Sequence, residues 1–396
     1  MRMLDSDTKV VLVEDDKPLG SGGRGSVYKT VCNTVESADG RTYNVACKLV
    51  ADGYRTPGRE AKIDCLAKIG KTSRICAAWP IEKVRDDGKW VGYTMRLLNG
   101  MTLDEYVARP STTLLEKVKL AARACRLVSD MHGIGIVVGD VSMANFMYDH
   151  ASDELGLIDL DSVQVIDREH GAVYPAAESF ERSPEMAGKV LGETTLTSRS
   201  DDFLVAVMAF LMLFDMHPLD SFESDRSSSE IREENARKRR FPYRKLSGVL
   251  PVDAYGAELG ELFSRTFEGP YESIPAASEY GQALEAAAKT GVTTCPQCSE
   301  DYLRAAGSCP RCKGQRGGEG GSMRTGFVAL VVVCIAAAYV SGADVGSLVQ
   351  SAFDAVGSLI EGAASAPDAL ADLAAQAGGF AGDIVDQGAQ LLASIL

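Results

Sequence analysis

In "VVGDVSMANFMYD" (137–149) an aspartate and an asparagine, Asp140 and Asn145, stand five apart behind the apolar pair Val137-Val138. That spacing suits a phosphoryl-transfer loop and equally an ordinary turn between two strands, and the stretch alone leaves both open. Upstream, "LGSGGRGSVYKT" (19–30) carries Gly20, Gly22 and Gly25 in the pattern G-x-G-x-x-G, followed by Val27. Glycines let a hairpin press its backbone amides against phosphates without Cβ interference. The same pattern marks dinucleotide folds, but there it opens a helix. Here it opens "SVYKTV", which reads as a strand, so the loop reads as a β-hairpin lid. Lys48 lies in the apolar β run "NVACKLV" (44–50). It is either an exposed-face residue of an edge strand or a phosphate ligand, and the glycine hairpin ahead of it favours the ligand. On the helix expected in "PGREAKIDCLAKIG" (57–70), Glu60 could pair with Lys48, with Asp64 one turn on as its competitor.

A second chemistry is written in "CPQCSEDYLRAAGSCPRC" (295–312). Cys295, Cys298, Cys309 and Cys312 form two C-P-x-C knuckles, a spacing that brings four thiolates to a tetrahedral Zn²⁺. Four protein ligands close such a site, so its role is structural, and a ribbon this small depends on its metal for folding. The other cysteines, such as Cys47, Cys65, Cys76 and Cys125, are scattered in apolar settings and read as buried free thiols.

These residues need elements to hold them. β-Rich runs ("KVVLV", "SVYKTV", "YNVACKLV") precede residue 50, and helical periodicity dominates later, as in "TLLEKVKLAARACRLVSDMH" (113–132) and "SDDFLVAVMAFLMLF" (200–214). Strands first and helices afterwards suggest a bilobal α+β arrangement. The chain has 396 residues, 45% hydrophobic and 24% charged, which fits a globular protein with a substantial core. A net charge of −14 argues against nucleic acid as a partner, because tracking phosphates needs clustered Lys and Arg. The basic run Lys238-Arg239-Arg240 is read as a solvated face, with a docking patch as the other reading.

Residues 315–324 have the composition of a flexible linker, and 325–343 form an uncharged apolar run of membrane-spanning length. Arg304, Arg311, Lys313, Arg316 and Arg324 precede that run, and no Lys or Arg follows it. Positive-inside logic then expects a single-pass protein of the cell inner membrane, with its N-terminal bulk cytoplasmic and residues 344–396 as an extracytoplasmic tail. That Ala/Gly-rich tail could be an amphipathic surface helix or a self-association helix that pairs protomers into a homodimer.

Over residues 10–290 the chain resembles the protein kinase-like superfamily. "LGSGGRGSVYKT" resembles its glycine-rich loop and "VACK" its V-A-I-K strand. "YTMRLLNGMTLDEYV" (93–107) is similar to the hinge, with Met95 at the gatekeeper-like position and Arg96, Leu97 and Leu98 lining an adenine slot. In the segment around the opening stretch, Asp140 takes the place of the catalytic aspartate and Asn145 that of the metal-binding asparagine. "LGLIDLDSV" (155–163) fills the D-F-G role, with Asp159 after the apolar pair Leu157-Ile158. "RSPEM" (182–186) is similar to A-P-E, and "SRSDDFLVAVMAFLMLFDMHPLD" to the long core helix whose buried aspartate, here Asp201, supports the catalytic loop.

The resemblance implies an α+β, bilobal protein kinase-like fold (1–292), followed by a zinc ribbon (293–314), one transmembrane helix and the helical tail. It also implies ATP-dependent transfer of a phosphoryl group to a protein hydroxyl. Lys48, held by Glu60, would contact the α- and β-phosphates; Asn145 and Asp159 would hold Mg²⁺; Asp140 would accept the proton of the attacking hydroxyl. The alternatives are a nucleotide-binding pseudokinase or atypical nucleotide transferase acting as a signalling scaffold, and a small-molecule kinase. The chain also departs from the pattern. Val138-Gly139 stand in place of His-Arg, Ser142 in place of the usual lysine, and Asp161 in place of the hinge glycine. Ile274 stands where an arginine often pairs with the glutamate of A-P-E, here Glu185.

Overall fold

The computed structural model describes residues 1–313 apart from 37, 39, 178, 180, 181 and 222–227. The chain divides into two units, Met1–Gly314 and Gln315–Leu396. The linker, the apolar run at 325–343 and the tail expected from the sequence therefore lie outside the described residues. Among the described residues no helix is long and apolar enough to cross a membrane.

The chain opens with β1 (Arg2–Ser6), β2 (Val10–Val13), β3 (Gly20–Gly22), β4 (Gly25–Glu36) and β5 (Thr42–Val50). After α1 (Pro57–Thr72) come β6 (Pro80–Asp86) and β7 (Lys89–Arg96). Period-2 alternation sets their faces. Leu4, Val11 and Val13 point inward and are fully buried, while Met3, Val10 and Leu12 stay exposed. The strand order is β2-β1-β6-β7-β5-β4, and β2 returns to pair with β4 at Val13 and Thr30. The Glu14 N–H, donating to the Lys29 carbonyl at 3.0 Å, extends that seam. The sheet is thus a closed six-stranded antiparallel barrel, with β3 hanging from β4 as a flap. Leu4, Val11, Val13, Cys47, Val84 and Val91 fill its interior. This corrects the expected fold class, because a closed barrel is not the N-terminal half of a typical bilobal kinase fold. The first thirteen residues make the difference: β1 and β2 bridge two strands, β6 and β4, that would otherwise be free edges.

A bulge shapes the outer face of the barrel. Val84 pairs with Gly92 but Arg85 with Trp90, so Val91 is an extra residue that drops into the interior. Trp90, Tyr93 and Met95 then share the outer face with Ala46, Val50 and Ile63 of α1. That helix starts cleanly, with Thr56 as N-cap accepting from the Arg59 N–H and Pro57 in the first turn.

The remaining described chain is mostly helical. α2 (Leu103–Val107) follows β8 (Met101–Thr102), and α3 (Leu114–Gly133) begins with a Thr113/Glu116 capping box. Short strands come next: β9 (Ile136–Val137), β10 (Phe146–Asp149), β11 (Glu154–Leu157), β12 (Gln164–Asp167) and β13 (Ala172–Tyr174). Then come α4 (Ser198–Phe214), α5 (Ser228–Arg237), α6 (Ala257–Phe267) and α7 (Ala277–Thr290). α4 is apolar nearly all round, and every residue from Ser200 to Phe210 is buried, as a helix without a polar face must be. A final hairpin, β14 (Val292–Thr294) and β15 (Asp301–Leu303), belongs to the same unit, with Leu303 fully buried in the helical core. In the basic run Lys238-Arg239-Arg240, the middle residue turns inward: the Arg239 guanidinium donates to the Gly269 and Thr266 carbonyls.

Candidate functional site

The glycine stretch forms a tight hairpin in which Gly20 pairs with Val27 and Gly22 with Gly25. Gly25 cannot be replaced without moving backbone, since a Cβ there would lie 2.3 Å from the Leu49 carbonyl oxygen. Gly20 and Gly22 have open space around them. Behind this flap, Lys48 sits opposite Val27 on one side and Tyr93 on the other. Its side chain leaves the barrel on the outer face and is 5% exposed.

Lys48 does not pair with Glu60, and that expectation is corrected. Its ammonium donates to Asp159 and, at 2.5 Å, to Asp161 Oδ1, which also accepts the Tyr93 hydroxyl at 2.9 Å. Glu60 turns to the barrel rim, where it pairs with Arg85 at 2.5 Å and Lys83 at 3.4 Å. Asp64, its competitor, pairs with Lys83 at 2.8 Å. Burial opposes charge at Asp161, but Lys48 and the Tyr93 hydroxyl outweigh it and hold the carboxyl well below its usual range. Burial and the neighbouring Asp161 charge push Asp159 up. Burial likewise works against the Lys48 ammonium, and the two carboxylates more than offset it, so its pKa is raised. One lysine is thus shared by two acids of unequal basicity.

The cleft-facing residue of α1 is Lys62, which the sequence reading passed over. It is 5% exposed, and its ammonium donates to the Asp161 carbonyl at 2.9 Å and the Pro175 carbonyl at 3.2 Å. Burial pushes its pKa down to about 8. Nothing in the local sequence distinguishes Lys62 from a solvated helix lysine.

The Asp140–Asn145 stretch is pinned from below. The Val138 and Gly139 N–H groups donate to the fully buried Asp201 carboxylate of α4, at 2.6 and 2.8 Å, and His132 Nε2 lies 2.8 Å from the same group. His132, in the last turn of α3, is therefore part of this network. Gly139 has φ +77°, and a Cβ there would come within 2.5 Å of Ala176 Cβ, which explains why no arginine stands before Asp140. The Asn145 amide donates to the Asp140 carbonyl at 2.8 Å and to its Oδ2 at 2.9 Å, while Ser179 Oγ donates to Asp140 Oδ1 at 3.2 Å. Ser142 stands at the N-terminal end of the short turn that carries Asn145, where its carbonyl accepts from the Asn145 N–H at 3.0 Å.

The β10–β11 hairpin sets Asn145 beside the acidic turn. Phe146 pairs with Leu157, and the Ile158 N–H donates to the Asn145 carbonyl at 2.8 Å, so Asn145 and Asp159 lie at one end of the same hairpin. Asn145 spends its amide nitrogen on Asp140, so its amide oxygen is the atom that could meet a cation. Asp159 holds a left-handed conformation (φ 60°, ψ 40°), unusual without glycine. An oxygen-donor pair of this kind suits a hard divalent cation.

The residues expected to line an adenine slot divide. Met95 and Leu97 join the apolar cluster on the barrel's outer face. Arg96 turns away, its guanidinium donating to the Gly70 carbonyl at 2.7 Å. The Leu97 N–H donates to the Asn44 carbonyl at 2.8 Å and so extends the strand pairing. Glu185 is well partnered despite Ile274: Tyr271 donates to it at 2.8 Å, and Thr197 donates through both its N–H, at 3.0 Å, and its hydroxyl, at 2.7 Å.

At the far end of the unit, Cys295, Cys298, Cys309 and Cys312 converge into a cluster that could hold a metal ion, their sulfurs all within 4.8 Å of one another. Cys295 and Cys312 sulfurs are 3.4 Å apart, and those of Cys298 and Cys309 3.6 Å. A tetrahedron with metal–sulfur bonds of about 2.3 Å has an edge of about 3.8 Å, so the four thiols fit such an ion. The backbone N–H groups of Cys298 and Gln297 hold the Cys295 thiol down at about 6, while burial and the neighbouring thiols push Cys298 up to about 12. No family model matches the chain, and a search of curated proteins finds no match.

Proposed function

We propose that the cleft between the glycine flap and the Asp140–Asn145 stretch carries out ATP-dependent phosphoryl transfer to a protein hydroxyl of the serine/threonine type. The observation that carries this reading is the occupancy of Asp140. One of its oxygens accepts from Asn145 and the other from a serine hydroxyl, Ser179, at 3.2 Å. A carboxylate so held is oriented to take a proton from an attacking hydroxyl. In the step, the hydroxyl oxygen forms a bond to the γ-phosphorus, the bond from that phosphorus to the β–γ bridging oxygen breaks, the proton passes to Asp140, and ADP leaves.

The chain's own groups supply position and charge. Lys48 meets the α- and β-phosphates under the flap of Gly20, Gly22 and Gly25. Asn145 and Asp159 would hold Mg²⁺, which when bound neutralises charge on the phosphates. Met95 and Leu97 offer apolar contact to the base. Asp201 fixes the loop through two backbone amides. The four cysteines would hold a structural Zn²⁺ that ties the loop of the last hairpin to the segment that follows it.

The test uses the full chain with γ-labelled ATP, Mg²⁺ and a generic protein acceptor, with Asp140→Asn and Asp159→Asn beside it. Transfer lost in both variants is the expected result. A second reading, nucleotide binding without transfer, draws on Ser142 standing where a cation would steady the γ-phosphate. Thermal stabilisation by Mg-ATP without label transfer would favour it. The absence of both transfer and stabilisation would refute the nucleotide site.

A further inference from the structure

The acidic turn at Asp159 needs an external support. Asp159 is a non-glycine residue in the left-handed region, a conformation that its surroundings have to hold. Local bonds do part of this: the Ser162 N–H and hydroxyl both donate to the Asp159 carbonyl, at 3.1 and 2.7 Å. Lys48 holds the carboxylate end. The far side of the turn, the Asp161 carbonyl, is held by Lys62, whose ammonium also takes the Pro175 carbonyl. The segment after Pro175 is registered on the same turn by the Ala177 N–H, which donates to the Ser162 carbonyl at 2.7 Å.

A buried ammonium is costly unless acceptors surround it. Here its two observed acceptors are main-chain carbonyls from separate segments, one of them in the turn that follows Asp159. We propose that Lys62 is a positioning residue that clamps the Asp159–Asp161 turn to α1 and thereby sets the affinity of the Asn145/Asp159 pair for its divalent cation. The clamp takes over the tie between α1 and the cleft that Glu60 does not make. It grips the metal-side turn, not Lys48, so the metal dependence should respond to Lys62 separately from the nucleotide dependence. The inference rests on the phosphoryl-transfer reading.

The experiment measures thermal stabilisation of the full chain by ATP at increasing Mg²⁺, and by increasing ATP at saturating Mg²⁺. Lys62→Met removes the donors at similar size, and Lys62→Arg keeps them. The expected result for Lys62→Met is a rise of about tenfold or more in the Mg²⁺ concentration giving half the effect, as for lost supporting partners of metal ligands. Its ATP half-point at saturating Mg²⁺ stays unchanged, and Lys62→Arg recovers most of the metal response. If Lys62→Met does not fold, Lys62→Gln, which retains one donor group, should show an intermediate Mg²⁺ shift. An unchanged Mg²⁺ half-point in a folded Met or Gln variant, or equal shifts for metal and ATP, would overturn the clamp while leaving the nucleotide site intact. A wild-type chain that gives no Mg-ATP response at all would overturn both.

Discussion

Replacing Asp201 by asparagine tests whether the Asp140 loop is held from α4. The Asp201 carboxylate is fully buried and accepts from the Val138 and Gly139 N–H groups and from His132. An amide oxygen can keep one of the two backbone donors, but the amide nitrogen would then face the other. The change removes a hydrogen bond to an ionised acceptor, worth about 1.5–3 kcal/mol, and leaves a buried N–H unpaired at about 1–3 kcal/mol. We therefore expect Asp201→Asn to destabilise the protein by about 3–5 kcal/mol in equilibrium urea unfolding. The loss should depend on pH. Burial works against the charged form of His132, but the Asp201 hydrogen bond and the charges of Asp201 and Asp202 outweigh it, so its pKa lies above the ordinary 6.5. A raised folded value means the pairing contributes in full below about pH 6.5 and fades as pH rises through the higher folded value. The difference between wild type and variant should shrink across that window. A loss under about 1 kcal/mol, or a difference that grows with pH, would refute the reasoning.

Two further outcomes follow from single contacts. Gly139→Ala should cost about 2–4 kcal/mol in thermal or urea unfolding, because it adds a left-handed strain to a 2.5 Å clash with Ala176. A strong chelator, or Cys309→Ser, should release the final hairpin and expose Leu303, lowering the melting temperature and opening the Arg304 and Arg311 bonds to trypsin; an unchanged digest would show that the hairpin stands without metal.

Much of the site's inventory was legible in the residues themselves. The glycine hairpin, the Asp140/Asn145 spacing, Asp159 behind two apolar residues and the two cysteine knuckles are local patterns, and local geometry follows from them. The barrel was not legible, because its closure rests on Val13 meeting Thr30, a pairing of distant strands that alternation alone does not select. The role of α1 was misjudged for a similar reason. Residues 60 and 62 are about 200° apart around a helix, so only one of them can face the cleft. Packing of Ile63 and Leu66, both nearly fully buried, turns Lys62 inward and Glu60 to Arg85 and Lys83. The partners of Lys48 were hidden too, since Asp159 and Asp161 lie more than a hundred residues away. Residue types and their local spacing were enough to mark which groups could do chemistry and which short stretches would carry them. Tertiary structure alone decided which charges meet, because the facing of a helix and the closing of a sheet depend on contacts that no local pattern encodes.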